Sequence, residues 1–247
     1  MHTGSPLVDW TSYGAALFDL DGVVTPTAVI HERAWAALFE RWEFTQNDYL
    51  RYVDGKPRYD GVRSFLESRG VELPWGEPTD PPGDSTICAL GNRKNDMFNE
   101  VLGRDGIAPY PGTLAVLDRL DDAGVPQAIV SSSKNARTVL AAAGLEDRFP
   151  VVVDGRTAVD EHLAGKPDPA MFRHAADRLG VPAERSIVVE DATSGVAAGA
   201  AGGFAFVLGV DRGGNAAALT AAGADLVVAD LGETLRPEPS PADGHDV

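Results

Sequence analysis

Short apolar runs that stop abruptly at polar residues constrain this chain more than any other feature. Ala15-Ala-Leu-Phe18 ends at Asp19, Gln127-Ala-Ile-Val130 at Ser131, and Ser186-Ile-Val-Val189 at Glu190 and Asp191. A further run, Gly203-Phe-Ala-Phe-Val207, precedes a loop at Gly209. Runs this short and continuously apolar read as strands buried on both faces of a parallel sheet. Helical patterns lie at residues 113–123, 135–143, 170–179 and 194–201, and the alternation predicts an α/β fold.

Residues 27–102 break the alternation. Helix-like stretches at 31–41, 45–52, 59–67 and 92–102 occur there without a convincing buried strand, which predicts an inserted helical domain. A Pro- and Gly-rich excursion over residues 73–83 interrupts it and is longer than a compact bundle requires. The expected organisation is a first core segment with an N-terminal extension (1–26), a helical insert (27–102), a second core segment (103–235) and a Pro-rich solvated tail (236–247). The chain shows no internal repeat.

Composition narrows the class. With 37 Asp and Glu against 21 Lys and Arg, the net charge of −16 argues against a nucleic-acid surface. The weakly polar stretches are broken by glycines and charges, short of the ~20 apolar residues of a membrane span. Residues 1–13 carry neither the basic start nor the apolar segment of a signal peptide, so cytoplasmic residence is expected. The single cysteine, Cys88, excludes an internal disulfide and reads as a small buried hydrophobe. Trp35, Trp42, Tyr59 and Trp75 read as packing residues.

The sharpest local signal is Phe18-Asp19-Leu20-Asp21-Gly22-Val23-Val24-Thr25. Strand side chains alternate, so Asp19 and Asp21 can point to one side at the carboxyl end of the first strand. Paired carboxylates invite a hard cation such as Mg²⁺, which offsets their repulsion and leaves one of them available as nucleophile or proton donor. Other strand ends supply Glu190-Asp191, Lys166 ahead of a helix, and Ser131-Ser132-Ser133-Lys134-Asn135. In an open α/β sheet such loops converge at the carboxyl ends of the strands. Together they offer a nucleophile, a cation site and positive or hydroxyl groups for a phosphate, the needs of phosphoryl transfer.

These motifs, in this order, resemble those of the haloacid dehalogenase superfamily, in particular its beta-phosphoglucomutase-like branch with an α-helical cap. The likeness covers about residues 15–230: Asp19-Leu-Asp21-Gly-Val23, then Ser131, Lys166-Pro and Glu190-Asp191. It implies a Rossmann-like parallel-sheet core with an inserted helical cap. It makes Asp19 the nucleophile that becomes an aspartyl phosphate and Asp21 the general acid and base. It implies Mg²⁺ on the Asp19 side chain, the Asp21 carbonyl and Asp191, with Glu190 assisting, and a phosphoryl group held by Ser131 and Lys166.

The same likeness assigns Thr27 and His31 to the tract after the first motif, with His31 coupling cap closure to the placement of Asp21. It assigns Arg58 to a remote phosphate, Lys94 and neighbouring Asn95 to the sugar phosphate, and Ser133, Lys134 and Asn135, beside Ser132, to a distal phosphate cluster. The implied reaction interconverts β-D-glucose 1-phosphate and β-D-glucose 6-phosphate through β-D-glucose 1,6-bisphosphate. The substrate is then a small sugar phosphate, with no nucleic acid, membrane or obligatory protein partner. The chain departs from the family at Arg58-Tyr59-Asp60-Gly61, where a serine is frequent near Gly61, and in the 73–83 excursion. A sugar-phosphate phosphatase and an inactive phosphate-binding protein remain alternatives. A dinucleotide enzyme is disfavoured because no Gly-x-Gly-x-x-Gly follows the first strand.

Overall fold

A computed structural model describes residues 8–53 and 56–235. The expected tail at 236–247, residues 1–7 of the N-terminal extension, and Asp54 and Gly55 ahead of Arg58 lie outside the described residues. The chain divides into two compact units, Met1–Thr25 with Ala108–Val247, and Pro26–Ile107.

The first unit is built on a six-stranded sheet, β1 (Ala15–Phe18), β2 (Gln127–Val130), β3 (Val151–Val153), β4 (Ser186–Glu190), β5 (Phe206–Val210) and β6 (Leu226–Val228), in the order β3-β2-β1-β4-β5-β6. Every neighbouring pair is parallel. Strand order therefore reverses between β1 and β4, and it is outside the carboxyl ends at such a switch point that open α/β sheets bind ligands. Phe18 pairs with Val189, and the Asp19 N–H donates to the Val189 carbonyl at 2.9 Å, so the two polar strand ends finish side by side.

The sheet's core packs Leu17, Ala128, Val130, Val188 and Val207 against Met171, Phe172 and Val196. Of these strand residues, Leu17, Ala128, Val188 and Val207 are cross-strand partners on one face of the sheet, and the alternate residues Ala16, Phe18, Ile129 and Val189 are fully buried as well, so both faces are covered.

The second unit is helical: α1 (Thr27–Leu38), a single turn α2 (Gln46–Asp48) continued by a π-helical turn at Tyr49–Val53, α3 (Arg58–Ser68) and α4 (Ile87–Asp105). Thr45 and Asp48 form a reciprocal capping box at the start of α2, and Arg69 holds the Asp48 carboxylate at 2.8 Å. This unit has its own aromatic core, with the Phe39 and Phe65 rings 4.2 Å apart and Trp35, Val62, Leu66 and Leu90 around them. The expected packing roles of Trp35, Trp42 and Tyr59 agree with this cluster, and Trp75, although 43% exposed, meets the Tyr59 ring edge-on at 6.4 Å.

The 73–83 excursion is tied down rather than loose. Asn92 donates to the carbonyls of Pro78 and Asp80 at 3.1 and 2.8 Å, Thr86 donates to the Asp80 carboxylate at 2.6 Å, and the Ile87 N–H donates to the Pro74 carbonyl at 2.9 Å.

The first unit continues with α5 (Pro111–Ala123), α6 (Ala136–Ala142), α7 (Gly155–Asp160), α8 (Ala170–Leu179), α9 (Thr193–Ala201) and α10 (Ala216–Ala222). The structure differs from the sequence pattern in several places. Strands β3 and β6 have no counterpart in that pattern, each being only three residues long. Strand β5 begins at Phe206, because Gly203 (φ +69°) closes the turn after α9 and Phe204 packs edge-on against Phe172 at 6.0 Å. Helix α1 spans Thr27–Leu38 rather than 31–41, and α4 starts at Ile87, capped by the Thr86 hydroxyl, and runs to Asp105. The helical unit accordingly runs to Ile107, beyond residue 102.

Among the described residues, no helix is long and apolar enough to cross a membrane.

Candidate active site

The chain turns sharply after β1. Val24 and Thr25 donate to the Leu20 carbonyl at 2.9 and 3.0 Å, and Gly22 donates to the Thr25 carbonyl at 2.8 Å. Gly22 sits at φ +83°, where L side chains are strained, and a Cβ there would overlap the Asp191 carboxylate. Glycine is thus required twice over, by backbone conformation and by the close approach of an acidic side chain. Asp19 lies buried at the end of the strand, and Asp21 is half-buried within the turn.

Lys166 joins the two central strand ends. Its ammonium donates to Asp19 Oδ1 at 2.5 Å, to Glu190 Oε1 at 2.5 Å and to the Val130 carbonyl at 2.9 Å, with side-chain exposures of 5% for Lys166, 10% for Asp19 and 1% for Glu190. The Lys166–Pro167 peptide is cis. The second Glu190 oxygen accepts from the N–H groups of Asp191 and Ala192 at 3.0 Å each, just ahead of α9. Gly195 makes room for this carboxylate, since a Cβ there would overlap it.

The electrostatics follow from burial and crowding. Burial raises Asp19 well above the usual carboxylate range; Lys166 pulls it back, while Glu190, Asp21 and Asp191 push it further up. Burial, then Glu190 and Asp21, lift Asp191 to about 7 against the pull of Lys166. Burial would lower the Lys166 ammonium, but Asp19 and Glu190 outweigh it and hold the group above its ordinary value.

One ligand oxygen from each of Asp19, Glu190 and Asp191 lies within 4.8 Å of the others. Three crowded carboxylates with one ammonium leave an excess of negative charge, and an all-oxygen donor set suits a hard divalent cation. The residues present therefore fit Mg²⁺.

The loop after β2 arranges donors beside this cluster. Ser131 Oγ is 3.5 Å from Asp21 Oδ2 and accepts the Ser133 N–H at 3.1 Å, and Ser133 Oγ accepts the Asn135 N–H at 3.1 Å. Ser131 and Asn135 are buried; Ser132 and Lys134 are exposed. The structure thus brings Asp19, Asp21, Ser131, Lys166, Glu190 and Asp191 together at the switch point, with 132–135 in the adjoining loop.

The remaining sequence-derived candidates lie in the helical unit, in two groups. Lys94, buried in α4, contacts His31 Nδ1 of α1 at 2.5 Å, and the His31 ring stacks on Phe98 with centroids 4.4 Å apart. Burial, then the charges of Lys94 and Arg58, lower His31 to about 3. The imidazole is therefore neutral at physiological pH, and with Lys94 donating to Nδ1 its proton sits on Nε2. Arg58 donates to Asn95 Oδ1 at 2.8 Å, and Thr27 is buried at the start of α1.

Two further residues, absent from the sequence motifs, reach the acidic segments. Arg212 donates through Nε to the Gly22 carbonyl at 2.8 Å, and Asn215 donates to the Asp191 carbonyl at 3.1 Å. Both lie in the turn after β5, and ending that strand at Val207 hid the turn's place at the carboxyl edge of the sheet. The signal available was the polar stretch Asp211-Arg-Gly-Gly-Asn215 directly after an apolar run.

Comparison with known proteins agrees with this architecture. A family profile described as haloacid dehalogenase-like hydrolase matches residues 13–203. A beta-phosphoglucomutase from Mycobacterium bovis is 50% identical over 238 residues, covering 90% of this chain and 91% of the relative. Hexitol phosphatase A from Escherichia coli is 31% identical over 189 residues, covering 76% of this chain and 78% of that protein. The crystal structure of a beta-phosphoglucomutase from Clostridium difficile has a TM-score of 0.68 at 26% identity, covering 90% of this chain and 92% of that one.

Proposed function

The chain belongs to the haloacid dehalogenase-like hydrolase family, and we propose that it is a Mg²⁺-dependent mutase interconverting β-D-glucose 1-phosphate and β-D-glucose 6-phosphate. The observation that carries the reading is the buried Asp19 carboxylate at the switch point, with Lys166 on one oxygen and Asp191 and Glu190 close enough to share a cation. The sugar substrate is argued from the half-identical relative that bears the mutase name.

In the proposed cycle Asp19 carries a phosphoryl group as an aspartyl phosphate. Asp21 removes the proton from the 6-hydroxyl of β-D-glucose 1-phosphate, and that oxygen attacks the phosphorus as its bond to Asp19 breaks. The product is β-D-glucose 1,6-bisphosphate and free Asp19. After the bisphosphate reorients, Asp19 attacks the phosphorus at C1, Asp21 returns its proton to the departing sugar oxygen, and β-D-glucose 6-phosphate leaves. Lys166 and Ser131 offset the charge gathering on the transferring group. Asp19, Asp191 and Glu190, with the Asp21 carbonyl, would hold Mg²⁺, which supplies charge neutralisation on the phosphoryl oxygens.

Within the helical unit Arg58 is assigned to the phosphate remote from Asp19 and Lys94 with Asn95 to the sugar phosphate, while within the first unit Ser133, Lys134 and Asn135 are assigned to a distal phosphate. The mutase reading requires that water be kept from the aspartyl phosphate during transfer, since water attack would end the cycle in hydrolysis. Action on a free metabolite in the cytoplasm, without a protein or nucleic-acid partner, completes the proposal.

A sugar-phosphate phosphatase is the second reading, favoured by the 31% identity to hexitol phosphatase A. The same Asp19 chemistry then ends in water attack. Purified protein with Mg²⁺, β-D-glucose 1-phosphate and a trace of the 1,6-bisphosphate separates the two. The mutase reading expects glucose 6-phosphate to accumulate with little free phosphate. Stoichiometric inorganic phosphate with little isomer would contradict it.

A further inference from the structure

The turn after β5 reaches back to the two acidic segments of the site without contributing a carboxylate to it. Asp211 folds this turn, accepting the N–H groups of Gly213, Gly214 and Asn215 at 3.2, 2.6 and 2.8 Å. Arg212 lays its guanidinium 3.6 Å over the Tyr110 ring, and Tyr110 itself donates its N–H to the Val24 carbonyl at 3.0 Å. From there Arg212 Nε donates to the Gly22 carbonyl at 2.8 Å, while Nη1 donates to the Ala229 carbonyl at 3.0 Å and pairs with Asp230 at 3.2 Å. Asn215 Nδ2 donates to the Asp191 carbonyl at 3.1 Å.

The contacts form a closed circuit. Arg212 fixes the backbone at Gly22, the residue next to Asp21. The Cα of Gly22 lies so close to the Asp191 carboxylate that no side chain fits between them. Asn215 fixes the backbone of Asp191 from the other side. Shifting either segment therefore strains a contact that the same five-residue turn maintains.

We propose that Arg212 and Asn215 are positioning residues that set the separation between the Asp19–Thr25 turn and Asp191, and through it the affinity of the acidic cluster for Mg²⁺. Neither residue donates to the Asp19, Glu190 or Asp191 carboxylates; each acts on backbone carbonyls next to the groups that do the chemistry. Outer partners of this kind orient metal-binding side chains and commonly affect metal affinity. The inference rests on the Mg²⁺ reading of the Asp19, Glu190 and Asp191 cluster.

The test is a calorimetric Mg²⁺ titration of the full chain and of Arg212→Ala, Arg212→Lys and Asn215→Ala, with kcat and KM measured at saturating Mg²⁺. Both alanine variants are expected to bind Mg²⁺ about 10- to 100-fold more weakly. Their kcat falls while KM for the sugar phosphate holds. Lysine at 212 keeps the charge but not the planar fork, so it does not restore wild-type affinity.

A lower unfolding midpoint with unchanged Mg²⁺ affinity would reduce these residues to structural support and overturn the inference. Should Arg212→Ala fail to fold, Asn215→Ala, which removes a single hydrogen bond, decides the question on the same readouts. A wild-type chain that binds no Mg²⁺ overturns the metal reading and the brace together. Wild-type affinity in the variants overturns the brace alone.

Discussion

Asp191 shows how much of this site rests on single side chains in a crowded place. Burial and two neighbouring carboxylates raise it from 3.8 to about 7. Between those values the folded chain keeps a proton that the unfolded chain releases, so this group favours folding at low pH and loses that contribution as pH rises through about 7. Mg²⁺ requires the ionised carboxylate and reverses the trend. The Mg²⁺-induced rise in Tm is therefore expected to be larger at about pH 8 than at about pH 5.5. Differential scanning fluorimetry at both pH values, with and without Mg²⁺, measures this; an equal rise at both would contradict the shift.

Residues of this kind were legible in the sequence because each ends an apolar strand. Asp19, Ser131 and Glu190 are the first polar side chains after, or the last within, β1, β2 and β4. Arg212 and Asn215 were not, because their effect runs through backbone carbonyls that sequence spacing does not reveal.

At the scale of elements, legibility followed length and cover. Strands β1, β2 and β4 have continuous apolar runs buried on both faces, and all three begin at the residues the pattern indicates. Strands β3 and β6 fix only three residues each, and their pairing with longer neighbours rather than any local pattern makes them strands. The helical insert is legible as helices, but α4 extends five residues before and three after the stretch the pattern predicts, because the Thr86 hydroxyl caps its start at Ile87.

The loop over residues 73–83 earns its order from Asn92, which bonds the Pro78 and Asp80 carbonyls and accepts from Tyr59 Oη at 2.9 Å. Asn92→Ala is expected to destabilise the helical unit by about 1–3 kcal/mol. It should also speed proteolytic cleavage within residues 73–83, followed by mass spectrometry. Unchanged cleavage would show that the loop is held by its other contacts.

At the scale of the molecule, each unit has a hydrophobic cluster among the described residues, one packed on the sheet and one around Phe39 and Phe65. All three carboxylates of the candidate metal cluster belong to the first. Phe65 is fully buried among aromatic rings in the second, so Phe65→Ala is expected to cost about 3–5 kcal/mol. It should do so without changing Mg²⁺ affinity. Denaturant unfolding read by tryptophan fluorescence, with calorimetry on the folded variant, checks both halves, and weaker Mg²⁺ binding would contradict the separation. The net charge of −16 is a property of the whole chain that disfavours polyanionic partners at long range. The acidic cluster works against that background with the buried Lys166 ammonium on Asp19 and Glu190, and a bound cation would add to it.

Phosphoryl transfer through Asp19 is the claim on which the rest depends. The direct measurement is to mix the protein with Mg²⁺ and isotopically labelled β-D-glucose 1,6-bisphosphate, quench in acid, and locate the label by peptide mapping. The label is predicted on the peptide containing Asp19 in the wild type and is predicted to be absent from Asp19→Asn, with turnover lost in parallel. Label on another residue, or full turnover by Asp19→Asn, would contradict it.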